Sequence, residues 1–152
     1  MTLRKQFSLP NKVTLGKEAF EKLKGLVIKA YPHEACGILL SDGEEAYVKE
    51  TWPMENRTDS DLRMFFEADP MELYHMELRA EKEGKKILGF YHSHPDASAE
   101  VSLEDERFFL PGMLYLILSV DHGRAGTARC FRRETVDGEV LEIKAIVEER
   151  AQ

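Results

Sequence analysis

Two histidines, His92 and His94, stand two residues apart at the end of an apolar run, Ile87-Leu88-Gly89-Phe90-Tyr91. In an extended segment, residues i and i+2 point to the same face. Both imidazoles can therefore reach one metal ion. Pro95 follows and cannot donate to a sheet ladder, so the strand is expected to end there. Ser102 lies seven residues after Pro95, and Asp105 three residues after Ser102. Two imidazole nitrogens and one carboxylate oxygen make a three-ligand set for zinc with a fourth position left open. That is the arrangement of hydrolytic rather than structural zinc.

Each piece also has an ordinary reading. His-x-His alone is weak evidence for a metal. Ser102-Leu103-Glu104-Asp105 reads as a capping box, with Ser102 as N-cap and Asp105 at the third helical position. The two readings are compatible, because a carboxylate is favoured at a helix start. The conjunction of His, His, Pro, Ser and Asp at fixed spacing is what carries the signal.

That conjunction, His92-x-His94-Pro95, six residues, Ser102, two residues, Asp105, resembles the signature of the JAMM metalloproteases, also called the MPN+ family. The family pattern adds an upstream glutamate, matched here by Glu34 in His33-Glu34-Ala35-Cys36-Gly37. The resemblance runs from about Glu18 to about Phe131. It implies one zinc ion per chain, held by His92, His94 and Asp105. It implies Glu34 as general acid/base for a zinc-activated water, and Ser102 as a donor to the oxyanion. Such a donor is typically worth about 3 kcal/mol of barrier. The implied substrate is an amide bond after the C-terminal Gly-Gly of a ubiquitin-like protein. The absence of a second domain or zinc-finger cysteines resembles the stand-alone prokaryotic members that process ubiquitin-like sulfur-carrier proteins. A deubiquitinase-like lysine isopeptidase and a non-catalytic MPN scaffold are the alternatives. Scaffolds usually lose a zinc ligand, and this sequence keeps all of them. The remaining alternative, a different hydrolase or a DNA-repair-associated domain on the same fold, fits poorly with the acidic charge.

The elements that must position these residues follow from periodicity. A strand is expected near Lys12–Leu15. Phe20, Leu23, Leu26, Val27 and Ala30 recur at helical spacing over Glu18–Ala30, and Tyr31-Pro32 ends that helix. Ala35–Leu40 and Glu45–Trp52 flank Asp42-Gly43 and read as a hairpin. Residues 53–63 are polar and read as a loop, followed by a short strand at Met64–Glu67. Asp69-Pro70 starts a second helix, with Leu73, Met76 and Ala80 on its buried face and Gly84 as its stop. Lys86–His92 is apolar enough for a strand covered on both faces. Ser102–Leu110 reads as a short helix stopped by Pro111-Gly112. Strands at Leu114–Val120, Ala125–Glu134 and Glu139–Glu148 complete the set. The fold class is α+β with α/β/α-like layers: a single domain over 1–152, with a mixed sheet, two main helices and a short helix at the zinc site. The resemblance implies an MPN-type curved sheet with layering similar to cytidine deaminases.

Composition narrows the function further. The chain has 152 residues, 43% of them apolar and 32% charged, with a formal net charge of −7. No basic stripe is available to neutralise phosphates, which argues against nucleic acid as the partner. No apolar run is long enough to span a bilayer. The N-terminus has no secretory h-region. Cys36 and Cys130 form no metal-ligand pair and read as core thiols in a reducing cytoplasm. Asp96 and Glu100 flank the motif but read as solvated loop carboxylates or modest positioning groups. Glu104 and Glu106 are expected to face water, and His33, His75 and His122 lie outside the pattern. Ser93 is expected to point away from the metal.

Overall fold

A computed structural model describes residues 11–43, 46–55 and 69–148. The expected short strand at 64–67 and most of the expected 53–63 loop lie outside these residues. The described elements are β1 (Lys12–Gly16), α1 (Lys17–Ala30), β2 (Cys36–Ser41), β3 (Tyr47–Val48), β4 (Glu50–Met54), α2 (Pro70–Lys82), β5 (Lys86–Pro95), α3 (Leu103–Phe108), β6 (Leu114–Asp121), β7 (Arg124–Arg132) and β8 (Leu141–Glu148).

Local chemistry accounts for most boundaries. Asp69 caps α2 by accepting a hydrogen bond from the Met71 N–H at 3.2 Å, with Pro70 in the first turn. Gly84, at φ +71°, follows the C-cap. The β6–β7 turn places His122 and Gly123 at φ +50° and +84°, the two left-handed residues of a tight hairpin. β5 runs through His94 to Pro95 and stops there, because the next residue, Asp96, turns to φ +55°.

One expectation is corrected. The stretch 45–52 is not one strand paired with β2. Its N-terminal part, β3, pairs in parallel with β1, whereas β4 pairs antiparallel with β2. Only Lys49 separates the two, and its N–H donates to Leu40 O at 2.8 Å. The reason is tertiary. The eight strands lie in the order β3-β1-β8-β7-β6-β5-β2-β4, so consecutive strands form opposite rims of one mixed sheet. The sheet is curved enough to bring those rims together at Lys49. Sheet twist supplies the direction of this curl, and eight strands supply the span.

Alternation along the strands sorts the core into two faces. Leu39, Tyr91, Leu116 and Leu118 meet Ala19, Leu23 and Val27 of α1 on one face. On the other, Cys36, Ile38, Leu40 and Trp52 meet Ala80 of α2, and Tyr115, Ile117 and Phe131 pack with Phe109 beyond α3. The layers are therefore α1, sheet, then α2 with α3, in α+β order. Gly89 is required for the tight β5–β6 approach, because a Cβ there would run into the Leu114 backbone. His92 and His94 share the parity of Phe90, so they emerge on the second face, in the gap between α2 and α3.

Candidate metal centre and active site

β5 delivers both histidines to one point. His92 is fully buried and His94 largely so, and their Nε2 atoms lie 3.2 Å apart. Asp105 arrives from α3. Its Oδ1 lies 2.9 Å from His92 Nε2 and its Oδ2 3.0 Å from His94 Nε2. The capping box holds it there: Ser102 N–H donates to Asp105 Oδ2 and Asp105 N–H donates to Ser102 Oγ, both at 3.0 Å. The capping-box reading is met, and it leaves the Asp105 carboxylate beside both histidines. The Ser102 hydroxyl accepts a hydrogen bond as N-cap, which leaves its own proton available to donate.

Glu34 reaches the same point through strand register. Cys36 faces His92 across the antiparallel β2–β5 pair. Ser93 N–H donates to Ala35 O just before β2, and one residue further back Glu34 falls level with His94. Glu34 is only 5% exposed. One of its carboxylate oxygens and one ring nitrogen of each histidine all lie within 4.8 Å of one another.

The electrostatics separate these groups. Burial pushes the Glu34 carboxyl up to about 8, the nearby His94 pulling it down and Asp105 adding to the rise. Burial also opposes ionisation of Asp105, but hydrogen bonds from His92 and His94 outweigh it and hold the carboxyl well below the usual range. Burial pushes His92 down, towards the neutral imidazole. Burial acts the same way on His94, but its bonds to Asp105 and the Ser98 carbonyl outweigh it and the net shift is upward. Two carboxylates in one site are thus driven in opposite directions, a pattern typical of acid/base chemistry.

The donor set fits a small cation. Bonds of about 2.0–2.1 Å in a tetrahedral site place ligand atoms roughly 3.3 Å apart, close to the 2.9–3.2 Å separations here. His94 Nδ1 lies 2.7 Å from the Ser98 carbonyl. That oxygen can only accept, so Nδ1 carries the proton, and in the neutral ring Nε2 presents its lone pair to the centre. This is the usual outer support of a metal-bound histidine.

A consequence concerns stability without metal. A carboxyl raised to about 8 when folded binds a proton that the unfolded chain has released above its ordinary 4.5. Its contribution is complete below that value and declines as pH rises through about 8. Metal-free protein is therefore expected to lose stability across this window. In Glu34→Gln that loss should shrink by about 2–4 kcal/mol, allowing for partial solvent access. Denaturant melts of both chelated proteins at several pH values check this. Parallel curves would contradict it.

Several neighbours make bonds whose partners the sequence did not specify. Asp96 faces away from the centre, and its carboxylate accepts from Tyr31 Oη at 2.6 Å and His122 N–H at 2.7 Å. It ties the end of β5 to the end of α1 and to the β6–β7 turn. Buried Arg133 donates from Nη1 to the carbonyls of Glu106 and Phe109 at 3.0 and 3.4 Å, closing the C-terminal end of α3. Its Nη2 also lies 3.4 Å from the Glu106 carboxylate, so Glu106 is partly buried and paired, not simply water-facing as expected. Cys36 and Cys130 are buried free thiols pushed up to about 12, chiefly by burial, and neither is a nucleophile. Among the described residues, no helix is long and apolar enough to cross a membrane.

Comparison with known proteins agrees with this geometry. The family described as prokaryotic homologs of the JAB domain matches residues 17–134. A desampylase from Haloferax volcanii is 37% identical over 91 residues, covering 59% of this chain and 65% of that protein. The match thus spans less than two thirds of the relative's length. The solution structure of a protein from Desulfitobacterium hafniense aligns at a TM-score of 0.77 and 33% identity, over 92% of this chain and 95% of that one. The crystal structure of a JAB1/MPN domain protein from Archaeoglobus fulgidus shares the fold, with a TM-score of 0.54 and 19% identity over 88% and 99% of the two chains. The family match runs from the start of α1 past the end of β7 and includes Glu34, both histidines, Ser102 and Asp105, so the chain belongs to the prokaryotic homologs of the JAB domain.

Proposed function

We propose that the protein is a zinc-dependent metallopeptidase or isopeptidase, a single domain over 1–152. It hydrolyses the amide bond after the C-terminal Gly-Gly of a ubiquitin-like protein, with a small sulfur-carrier protein as the substrate. The observation that carries this reading is the convergence of His92, His94 and Asp105 with the buried Glu34 beside them. His92, His94 and Asp105 would hold one zinc ion. When bound, zinc acts as a Lewis acid that polarises the scissile carbonyl and acidifies the attacking water. Glu34 takes the proton of that water on its carboxylate and returns it to the leaving nitrogen. Ser102 donates its hydroxyl proton to the oxygen that gains charge. The bond from Ser102 N–H holds the Asp105 carboxylate in place and fixes the helix start. The similarity to a desampylase supports a second substrate form, a lysine isopeptide on a ubiquitin-like protein. The two buried free thiols support a reducing compartment, the cytoplasm.

The test uses two probes: a ubiquitin-like sulfur-carrier protein with an amino acid amide-linked to its terminal glycine, and the same protein joined to a lysine side chain. Intact mass follows cleavage with and without a zinc chelator. Loss of the adduct from either probe, dependent on zinc, is expected. A zinc-loaded protein that leaves both probes intact would overturn the reading.

A further inference from the structure

We infer that Ser93 is a positioning residue whose buried hydroxyl holds Glu34 at the centre by clasping the main chain of Ala35. This deepens the proposed reading and rests on Glu34 being its acid/base.

Ser93 is fully buried and sits between the two histidines, yet on the opposite face of β5. It therefore touches neither the metal donors nor a substrate lying over them. Its partner is Ala35, the residue just before β2. The regular β2–β5 register begins at Cys36 opposite His92. One position further, Ser93 N–H donates to Ala35 O at 3.0 Å, while Ala35 N–H donates to Ser93 Oγ at 2.8 Å. In a regular antiparallel pair the two residues would exchange both bonds through their main chains. Here one of the two passes through a side chain. Residue type at 93 thus decides whether the Ala35 amide has this partner. A side chain without oxygen removes this partner from a partly buried N–H.

Glu34 is the residue next to this clasp. Its carboxylate is buried, within 4.8 Å of both imidazoles, and a buried carboxylate gains nothing from staying unless its backbone is fixed. The clasp fixes the backbone one residue away. The same strand, β5, therefore sets the histidines with one face and the acid/base with the other. A shift of about 1 Å in a reacting group costs on the order of 100-fold in rate.

The experiment compares wild type, Ser93→Ala, Ser93→Thr and Glu34→Gln, each loaded with zinc. Ser93→Ala is expected to lower kcat by about 10- to 100-fold on the probe that wild type cleaves, with KM and zinc affinity little changed. Ser93→Thr, which keeps the hydroxyl, is expected to restore most of the rate. Amide exchange should accelerate at Ala35 while Cys36 and His92 stay protected, and the Glu34 carboxyl carbon signal should move. Unchanged kcat in Ser93→Ala would overturn the inference. So would a rate loss matched by an equal loss of zinc affinity, which would place the effect on the histidines. Should Glu34→Gln turn over like wild type, the acid/base assignment fails instead, and the Ala35 exchange result separates that failure from this one. Should wild type cleave neither probe, the Ala35 and Glu34 signals decide: no change in Ser93→Ala overturns the clasp.

Discussion

Glu34→Gln will lower kcat by roughly 100- to 10,000-fold and leave zinc bound. The substitution keeps the shape and hydrogen-bonding capacity of the side chain but removes its ability to take and return a proton. KM should change little, because in the proposed mechanism the carboxylate acts on the water and the leaving nitrogen rather than on the body of the substrate. The environment explains why the loss is large. Burial raises this carboxyl's affinity for a proton, and a bound cation would draw it back towards the carboxylate that takes one. Among the described residues the other carboxylate beside both histidines is Asp105, which in the proposed site would be committed to the metal. Steady-state kinetics on the cleaved probe, with zinc measured in the same samples, provide the check. A loss below about tenfold would assign the base elsewhere.

Asp105→Ala will act on the metal instead. Removing one of the three proposed ligands should weaken zinc binding by at least about 100-fold and abolish turnover with it. The metal-free protein should also lose about 2–4 kcal/mol. One carboxylate serves His92, His94 and the Ser102 N–H, and all three lose a buried partner together. The sign with pH is opposite to that of Glu34. A carboxyl held below its ordinary range contributes stability above that range and loses it only in strong acid. Competition against a chromophoric zinc chelator measures the affinity, and melts of chelated protein measure the rest. The pair of variants also decides which carboxylate completes the ligand set, since Glu34 lies within reach of both histidines. Zinc lost in Glu34→Gln and kept in Asp105→Ala would exchange the two roles.

The residues that act through local spacing were legible in the sequence. His92 and His94 share a face because a strand repeats every two residues, and Ser102 and Asp105 meet because a capping box spans one turn. Glu34 is different. Nothing in its own chemistry separates it from Glu18 or Glu21, and only the β2–β5 register brings it opposite His94. The family resemblance supplied what the residue type did not. Ser93 and Asp96 show the same limit: their roles are bonds to Ala35, Tyr31 and His122, partners 58, 65 and 26 positions away. The split of the 45–52 stretch at Lys49 was illegible for a further reason. Tyr47 and Val48 before Lys49 and Thr51 and Trp52 after it favour strand alike, and only the curl of the completed sheet sends the two halves to different neighbours.

That curl bears on how the protein is made. β1 lies between β3 and β8, and residues 12–16 pair with residues 144–148. The ring is thus sealed by the last of the described strands to leave the ribosome. A nascent chain can already carry Glu34, both histidines and Asp105 while Val13 and Leu15, buried in the finished core, still wait for β8. Long-range pairing of this kind is reached late in folding. Alignment of the site therefore waits for β8, and a truncated product ending before residue 141 would hold the chemical groups of the site without the β1–β8 pairing that completes the sheet.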